Sequence, residues 1–594
     1  MLIETIKDNP SFERPRDITM KTRSSPATIL RPSHPLRCRR SSAAALALLL
    51  AAMIVTSSRA LFAAAYVHVV YLSVDGLRES DLEDPNLAAD LPNINALRET
   101  GVTYANAFTP APTDSFPGAL AEFTGASPRT TGIYYDFAHS NSLYAPGVTL
   151  DSGPGTTLNS TGDIDWNSRL LGGGDPTGTL DGFANDSSIS PPLLTQRNVG
   201  GTLQPVYPHE LLKVNTIFEV AHAAGLRTAY IDKHPSYEIV KGPSGTGLDD
   251  FYAPESDARV KIEPDGRLVD ALTSTTGTSG LKKPSTSVAL SNAYDDLRLT
   301  ALLSEVDGKS STGDPTPGNA TPALFGMNFV ALGNAQRLVT GGIDTNGTPL
   351  PDFHLALSHI DSSVGLVVNE LKARGLFNNT LIVLTAKHGN SPRLGEATLL
   401  GSSTFLQPLN DAGIVVATAE QDTSVLLWLL DPAQAAAAKN ALLQNPDPSI
   451  DTILAGKSEL LAAGFGDPGT DDRTPDVIIK LKSGYVVSDS YKRAEHGGFS
   501  EDDSHIALVL ASGNIPISLQ GTEQTGDVST TQIAVTSLEA LGLDASLLQG
   551  AVIENTAPLP GTGIPVPEPS SSAFLALATV SFLLHRGSNY KVKI

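Results

Sequence analysis

Two distant stretches of the chain each run a hydrophobic strand pattern into a polar group: Val67 to Val74 into Asp75, and Thr380 to Thr385 into Ala386, Lys387, His388 and Gly389. Open α/β sheets hold their ligands at the carboxyl ends of strands, so both groups are placed to act on one ligand. Between them lies Thr113, Asp114, Ser115, Phe116, Pro117, Gly118, a hydroxyl set before the start of a helix, and further on His496 stands beside Gly497 and Gly498. A carboxylate and two imidazoles suit a divalent ion, and a serine at a helix start has free amides and a helix dipole to favour an alkoxide and a bound anion. That combination points to metal-assisted phosphoryl or sulfuryl transfer, in which the ion neutralises charge, activates the nucleophile and stabilises the leaving oxygen. Taken singly, each residue has a plainer reading: serine is a favoured N-cap, aspartate before glycine is a common turn, and a turn histidine often only completes a hydrogen bond. Their arrival after three separate strand patterns favours a site.

The elements that must position these groups alternate in the manner of a mostly parallel sheet with covering helices. Periodicity predicts helices over Leu91 to Thr100, Pro117 to Thr124, Thr216 to Ala224, Leu290 to Val306 and Phe353 to Arg374, with a strand at Thr228 to Asp232 and a longer one at Ala323 to Leu332. The core resumes with a strand at His505 to Ser512 and a helix at Thr530 to Leu541. The expected fold class is therefore α/β. The core spans 66–412 with loose insertions at 140–205 and 235–322, a smaller α/β lobe is inserted at 413–487, and the core continues over 488–555. A Pro/Gly linker covers 556–570.

With 594 residues the chain exceeds one ordinary core. Beyond residue 65 there remain 31 basic against 59 acidic residues, a net −28. So acidic a body has nothing to neutralise a phosphate backbone, which excludes a nucleic-acid scaffold. Its one cysteine, Cys38, precedes the globular part, so no disulfide is expected there. Residues 1–65 read as a secretory signal: Arg31, Arg37, Arg39 and Arg40, then the apolar run Ala43 to Val55, then Ala63, Ala64 and Ala65 as a small-residue cleavage site. Met1 to Leu30 is long for a leader, and Met20 is an alternative start.

At the far end, Val566, Pro567, Glu568, Pro569 and Ser570 precede the apolar run Ala573 to Leu584 and a tail with His585, Arg586, Lys591 and Lys593. This order resembles the PEP-CTERM sorting signal of some bacteria. The resemblance implies an exosortase-type processing enzyme as partner and a transient membrane anchor over 571–594. The apolar run is short beside the roughly 20 residues of a permanent span.

A wider resemblance rests on Val74, Asp75 and Gly76; Thr113 to Thr124 followed by Gly125; Thr131, Gly132 and Ile133; His359, Ile360 and Asp361 through Gly365; Ala386 to Gly389; and Glu495, His496 and Gly497. In order and spacing these are similar to the successive motifs of the type I phosphodiesterase/nucleotide pyrophosphatase family, in the alkaline phosphatase superfamily. The resemblance implies an alkaline-phosphatase-like fold. It also implies Ser115 as nucleophile in place of the family's usual threonine, and Asp75, Ser115, His388 and His496 as metal ligands. Asp361 falls on a helix and has a structural role. Three positions depart from the pattern: Gly333, Asn334, Ala335, Gln336 and Arg337 stand where an aspartate and a histidine are usual, Lys387 where an aspartate is, and Gly118 where an asparagine is. Neutral amides are poor ligands for a divalent ion and an ammonium cannot coordinate one, so one ion, zinc by preference, is expected rather than two. Gly118, Asn334 and Gln336 are left as substrate-side positions. Lys387 has three readings: its ammonium takes over the charge of a missing ion, it acts as base toward Ser115, or it pairs with Asp75 in an inert site.

The expected activity is an exported hydrolase of phosphodiester or phosphate ester bonds acting on a small-molecule phosphate ester through a Ser115 phosphoenzyme. A catalytically silent envelope or matrix binding protein on the same fold is the alternative, with the departures as its evidence. A sulfatase ranks lower, because Ser115, Phe116, Pro117, Gly118, Ala119 lacks the arginine of the sulfatase motif.

Overall fold

The structure, a computed structural model, describes residues 64–159, 164–174 and 185–564. The leader up to residue 63 and the sorting segment from Val566 onward lie outside the described residues. Among the described residues no helix is long and apolar enough to cross a membrane.

In chain order the strands that matter here are β1 (His68–Val74), β2 (Val102–Tyr104), β3 (Thr228–Ile231), β4 (Asp250–Tyr252), β5 (Leu324–Phe329), β6 (Thr380–Thr385), β7 (Val416–Gln421), β8 (Ser424–Leu429), β9 (Ile450–Ala455), β10 (Val477–Leu481), β11 (Val509–Ala511) and β12 (Thr522–Gln524). Eight of them form the central sheet in the order β12, β2, β11, β6, β1, β5, β3, β4. Its middle is parallel: β1 runs beside β5 and β6, with Val69 opposite both Leu324 and Leu381, and β5 runs beside β3. Only β11 runs against its neighbours. Every residue of β1, β5 and β6 is buried, which is why these strands are continuous apolar runs rather than alternating ones.

The helices are α1 (Pro92–Thr100), α2 (Ser115–Thr124), α3 (Val288–Val306), α4 (Ala331–Arg337), α5 (Pro351–Ala373) and α6 (Thr531–Ala540). They make two layers. The Tyr71 hydroxyl meets that of Ser537 on α6 at 2.7 Å, and the Ser73 hydroxyl donates to Glu122 on α2, so alternate β1 side chains face α2 and α6. In the other layer α5 packs on α1, α3 and α4. Asp361 on α5 accepts the backbone N–H groups of Asn93 and Ile94 at 2.9 and 2.8 Å, capping the first turn of α1. That fixes Asp361 as a structural residue.

The expected strand Ala323 to Leu332 stops at Phe329, and its last residues open α4. The cause is tertiary. Buried Asp295 on α3 accepts the N–H groups of Val330 and Ala331 at 3.1 and 3.0 Å, offering α4 a cap that the local sequence does not contain. Residues 416–481 build a separate antiparallel sheet in the order β7, β8, β10, β9, with its own apolar cluster around Leu427, Leu442 and Ile479. The turn between β7 and β8, Asp422 and Thr423, reaches back to the main core, where the Thr423 hydroxyl donates to Asp503 at 3.1 Å.

Candidate active site

Parallel strands end on one edge, so β1, β3, β5 and β6 deliver Asp75, the pair Asp232 and Lys233, Asn328, and the pair Lys387 and His388 to a common rim. Ser115 comes to that rim as the first residue of α2. The N-cap is Asp114, whose carboxylate accepts the Phe116 N–H at 3.2 Å, and not Ser115 as its spacing from Pro117 suggests. Gly118 sets how close α2 comes: a Cβ there would lie 2.3 Å from the Lys387 carbonyl oxygen. Its role is thus backbone approach between α2 and the end of β6.

The Ser115 hydroxyl lies 3.0 Å from His388 Nε2. His388 Nδ1 is 2.9 Å from the Gly389 carbonyl, which only accepts, so Nδ1 carries the proton and Nε2 presents its lone pair to the serine. Burial, with Lys233 adding to it against the pull of Asp75, lowers the His388 pKa to about 4. The imidazole is therefore neutral near pH 7, as a base toward Ser115 has to be.

A second group completes the nucleophile. Lys233 Nζ donates to Asp75 Oδ2 at 2.7 Å and to Ser115 Oγ at 2.9 Å, with only 15 % of its side chain exposed. The other Asp75 oxygen accepts from Asn328 Nδ2 at 2.8 Å. Burial opposes the charge on both partners, yet Lys233 holds the Asp75 carboxyl well below its usual range, and Asp75 with Asp232 holds the lysine above its own. The pair is an ion pair at any ordinary pH.

These contacts test whether the residues fit the expected divalent ion. Asp75, Ser115 and His388 do converge, but Lys233 Nζ occupies the space between the carboxylate and the hydroxyl, and His388 Nε2 is engaged by the serine. Among the described residues no three His, Cys, Asp or Glu side chains form a group able to hold a metal ion. The donor set does not fit zinc.

The partner of the Lys387 ammonium is one that none of its three expected roles names. Lys387 gives its ammonium to Asp232 at 2.8 Å, with both side chains wholly buried, and lays it 4.1 Å from the centre of the Tyr237 ring. Gln336 is likewise a structural residue: it donates to the Gly76 carbonyl at 3.0 Å and accepts from Asn390 at 2.6 Å, bracing the turn after Asp75. At that turn Gly76 has φ +87°, and a Cβ would meet Gln336 at 2.2 Å. Asn334 borders the cavity, its amide donating to Ser291 at 3.1 Å.

His496 lies against His388 with ring centres 3.7 Å apart. Its Nδ1 is buried without a hydrogen-bond partner, 3.6 Å from Asp114, and burial together with His388 pushes its pKa well down. Beside it, Glu495 accepts from Arg337 Nε at 2.9 Å and from Lys492 at 2.6 Å, and these two cations overcome burial to keep it ionised. Lys492 also reaches Asp422 at 3.2 Å, which accepts the Tyr135 hydroxyl at 3.0 Å. Asp114, raised well above its usual range by burial and then by the charge of Asp136, shares a hydrogen bond with that carboxyl. All these groups except Tyr135 border one cavity of about 370 Å³, onto which Ser115 opens.

Sequence reasoning thus names Asp75, Ser115, His388, His496 and Asn334 at this cavity and misses Lys233, Asp136, Asp422 and Lys492. For Lys233 a signal exists: Ile231, Asp232, Lys233 follows a buried strand just as Asp75 does, and the strand-end rule applies equally there. The other three sit on loops without a readable pattern.

The sequence model of the type I phosphodiesterase/nucleotide pyrophosphatase family matches residues 69–151, the stretch that contains Asp75 and Ser115. No curated protein sequence matches the chain. Among solved structures, murine ectonucleotide pyrophosphatase/phosphodiesterase 5 is similar with a TM-score of 0.50 at 15 % identity, covering 80 % of this chain and 96 % of that one. An inactive variant of the same murine protein in complex with AMP gives the same figures. A mutant of the alkaline phosphatase PafA is similar with a TM-score of 0.53 at 14 % identity, covering 83 % of this chain and 98 % of that one. At these identities the structural likeness is one of fold. Residues 69–151 carry the sequence pattern of the type I phosphodiesterase/nucleotide pyrophosphatase family, in a chain whose fold is alkaline-phosphatase-like.

Proposed function

We propose that the chain is an exported hydrolase of phosphodiester or phosphate ester bonds that works through a phosphoserine at Ser115. The observation that carries this reading is the pairing of the Ser115 hydroxyl with the neutral Nε2 of His388 at 3.0 Å, at the first turn of α2 and open to the cavity. In the first half-reaction Ser115 Oγ attacks phosphorus, its proton passes to His388 Nε2, and the bond to the leaving oxygen breaks. The leaving oxygen departs on the far side of phosphorus and takes a proton from water in the cavity. Water then attacks the phosphoserine from that side and releases a proton to solvent. As the bond from phosphorus to Oγ breaks, His388 returns its proton to the serine. The dipole of α2, whose first residue is Ser115, favours the bound anion throughout.

Export is part of the proposal and rests on the basic, apolar, small-residue order of residues 31–65. The PEP-CTERM-like tail makes transient anchoring and release by an exosortase-type enzyme the expected route. A small phosphate ester is the proposed substrate, and AMP, which the inactive murine neighbour holds, is a reasonable product-like probe.

Bis(4-nitrophenyl) phosphate and 4-nitrophenyl phosphate, assayed beside Ser115→Ala, test the reading. Wild type is expected to release nitrophenolate and, on acid quench, to yield a phosphorylated peptide containing Ser115. Ser115→Ala should lose at least about a thousandfold in rate. An inert wild type with no labelled serine would favour the binding-protein alternative.

A further inference from the structure

We propose that the Lys233 ammonium supplies the positive charge that the sequence pattern leads one to expect from a divalent ion, so that the Ser115 chemistry runs without metal. The inference rests on the proposed nucleophilic role of Ser115 and adds a catalytic residue to it. Lys233 Nζ bridges Asp75 Oδ2 and Ser115 Oγ at 2.7 and 2.9 Å, a position from which it stabilises the serine oxygen as its proton leaves for His388. Its third N–H is free of these two contacts and suits a non-bridging phosphoryl oxygen in the cavity.

The surroundings agree. Asp75 is shared between Lys233 and Asn328, so both its oxygens are engaged. Lys387, at the position where the family resemblance implies a carboxylate, is a buried donor committed to Asp232. Arg337, within the segment where it implies an aspartate and a histidine, carries a guanidinium bound to Glu495. A divalent ion entering here would displace or face three fixed cations, whereas in the observed arrangement every one of them has a carboxylate partner. In the half-reaction the ammonium neither gains nor loses a proton; the serine proton goes to His388, as above.

The test uses the full chain, dialysed against EDTA, with three readouts. Zinc binding is measured by calorimetry with zinc chloride and by elemental analysis. Turnover is measured with bis(4-nitrophenyl) phosphate, and nucleophile reactivity by labelling of Ser115 with a fluorophosphonate. The stripped protein is expected to hold less than about a tenth of an equivalent of zinc, and to turn over and label within about twofold of the zinc-supplemented protein. Lys233→Met should lose on the order of 100- to 1,000-fold in kcat and in labelling rate, the loss typical of removing one oxyanion donor. Chemical rescue covers the case in which that variant folds poorly. Cys38 is the only natural cysteine, so Lys233→Cys in a Cys38→Ser background takes bromoethylamine at one site, and the restored ammonium should recover at least about tenfold.

Stoichiometric, submicromolar zinc binding that restores a dead stripped enzyme would overturn the proposal. So would a folded Lys233→Met of wild-type reactivity. An inert wild type without Ser115 labelling sinks the proposed function and with it the catalytic role of Lys233, while tight zinc binding by that protein would overturn the exclusion of the ion as well.

Discussion

Replacing Lys387 with methionine separates a structural lysine from a catalytic one. The Lys387 ammonium and the Asp232 carboxylate lie 2.8 Å apart with neither side chain exposed. Methionine keeps most of the volume but leaves a buried carboxylate unpaired, and breaking such a pair from one side costs about 3–5 kcal/mol. Asp232 retains one donor, the Lys233 backbone N–H at 2.8 Å, and the Lys233 ammonium is near enough to be felt. Both soften the loss, so a value of about 3 kcal/mol is expected. Urea unfolding followed by circular dichroism reads it as a lower midpoint. Adding Asp232→Asn should recover at least half, because the second change removes the stranded charge. Under conditions where the single variant stays folded, its kcat on bis(4-nitrophenyl) phosphate should remain within about tenfold of wild type, since Lys387 is spent on Asp232. A Lys387→Met protein with an unchanged urea midpoint and a rate lowered more than a hundredfold would refute the reasoning and return this lysine to the reaction.

Two further outcomes follow from buried titrating groups. The His388 pKa, lowered to about 4 chiefly by burial, predicts that labelling of Ser115 stays level from pH 8 to about 5 and falls only as pH drops through 4, where the base becomes protonated; an acid limb near pH 7 would contradict the dyad. Glu122 has a pKa raised to about 8, burial being the largest cause, and its Oε2 has no hydrogen-bond partner among the described residues. Its folded pKa lies above the unfolded 4.5, so the native state keeps a proton that the unfolded chain has lost. That contribution is complete below pH 4.5 and disappears as pH rises through 8. Glu122→Gln should therefore flatten the decline in stability between pH 5 and 9, gaining up to about 4 kcal/mol at the alkaline end, which urea midpoints at several pH values will show.

Much of this was legible because buried parallel strands announce themselves twice, as unbroken apolar runs and as polar residues where the runs stop. Asp75 and His388 are found that way, and Ser115 by its place before Pro117 and the helix. What stayed hidden depends on partners far away in the chain. The cut between β5 and α4 is made by Asp295, and the identity of the α2 N-cap by the preference of Asp114 for the Phe116 amide. Lys387 stands out in the sequence but its partner does not, because the carboxylate that claims it, Asp232, sits at the end of a different strand. The direction of β11 left no mark in the residues either, since a short buried strand reads the same whichever way it runs.

The neighbouring pairs at the rim interlock: Asp75 with Lys233, and Asp232, next to Lys233 in the chain, with Lys387. A lineage bearing such a lattice is trapped by it. Exchanging any single member strands an opposite charge in the interior, and to build a zinc cage here the lysines and Arg337 would have to change nearly at once. Small adjustments are thus closed off.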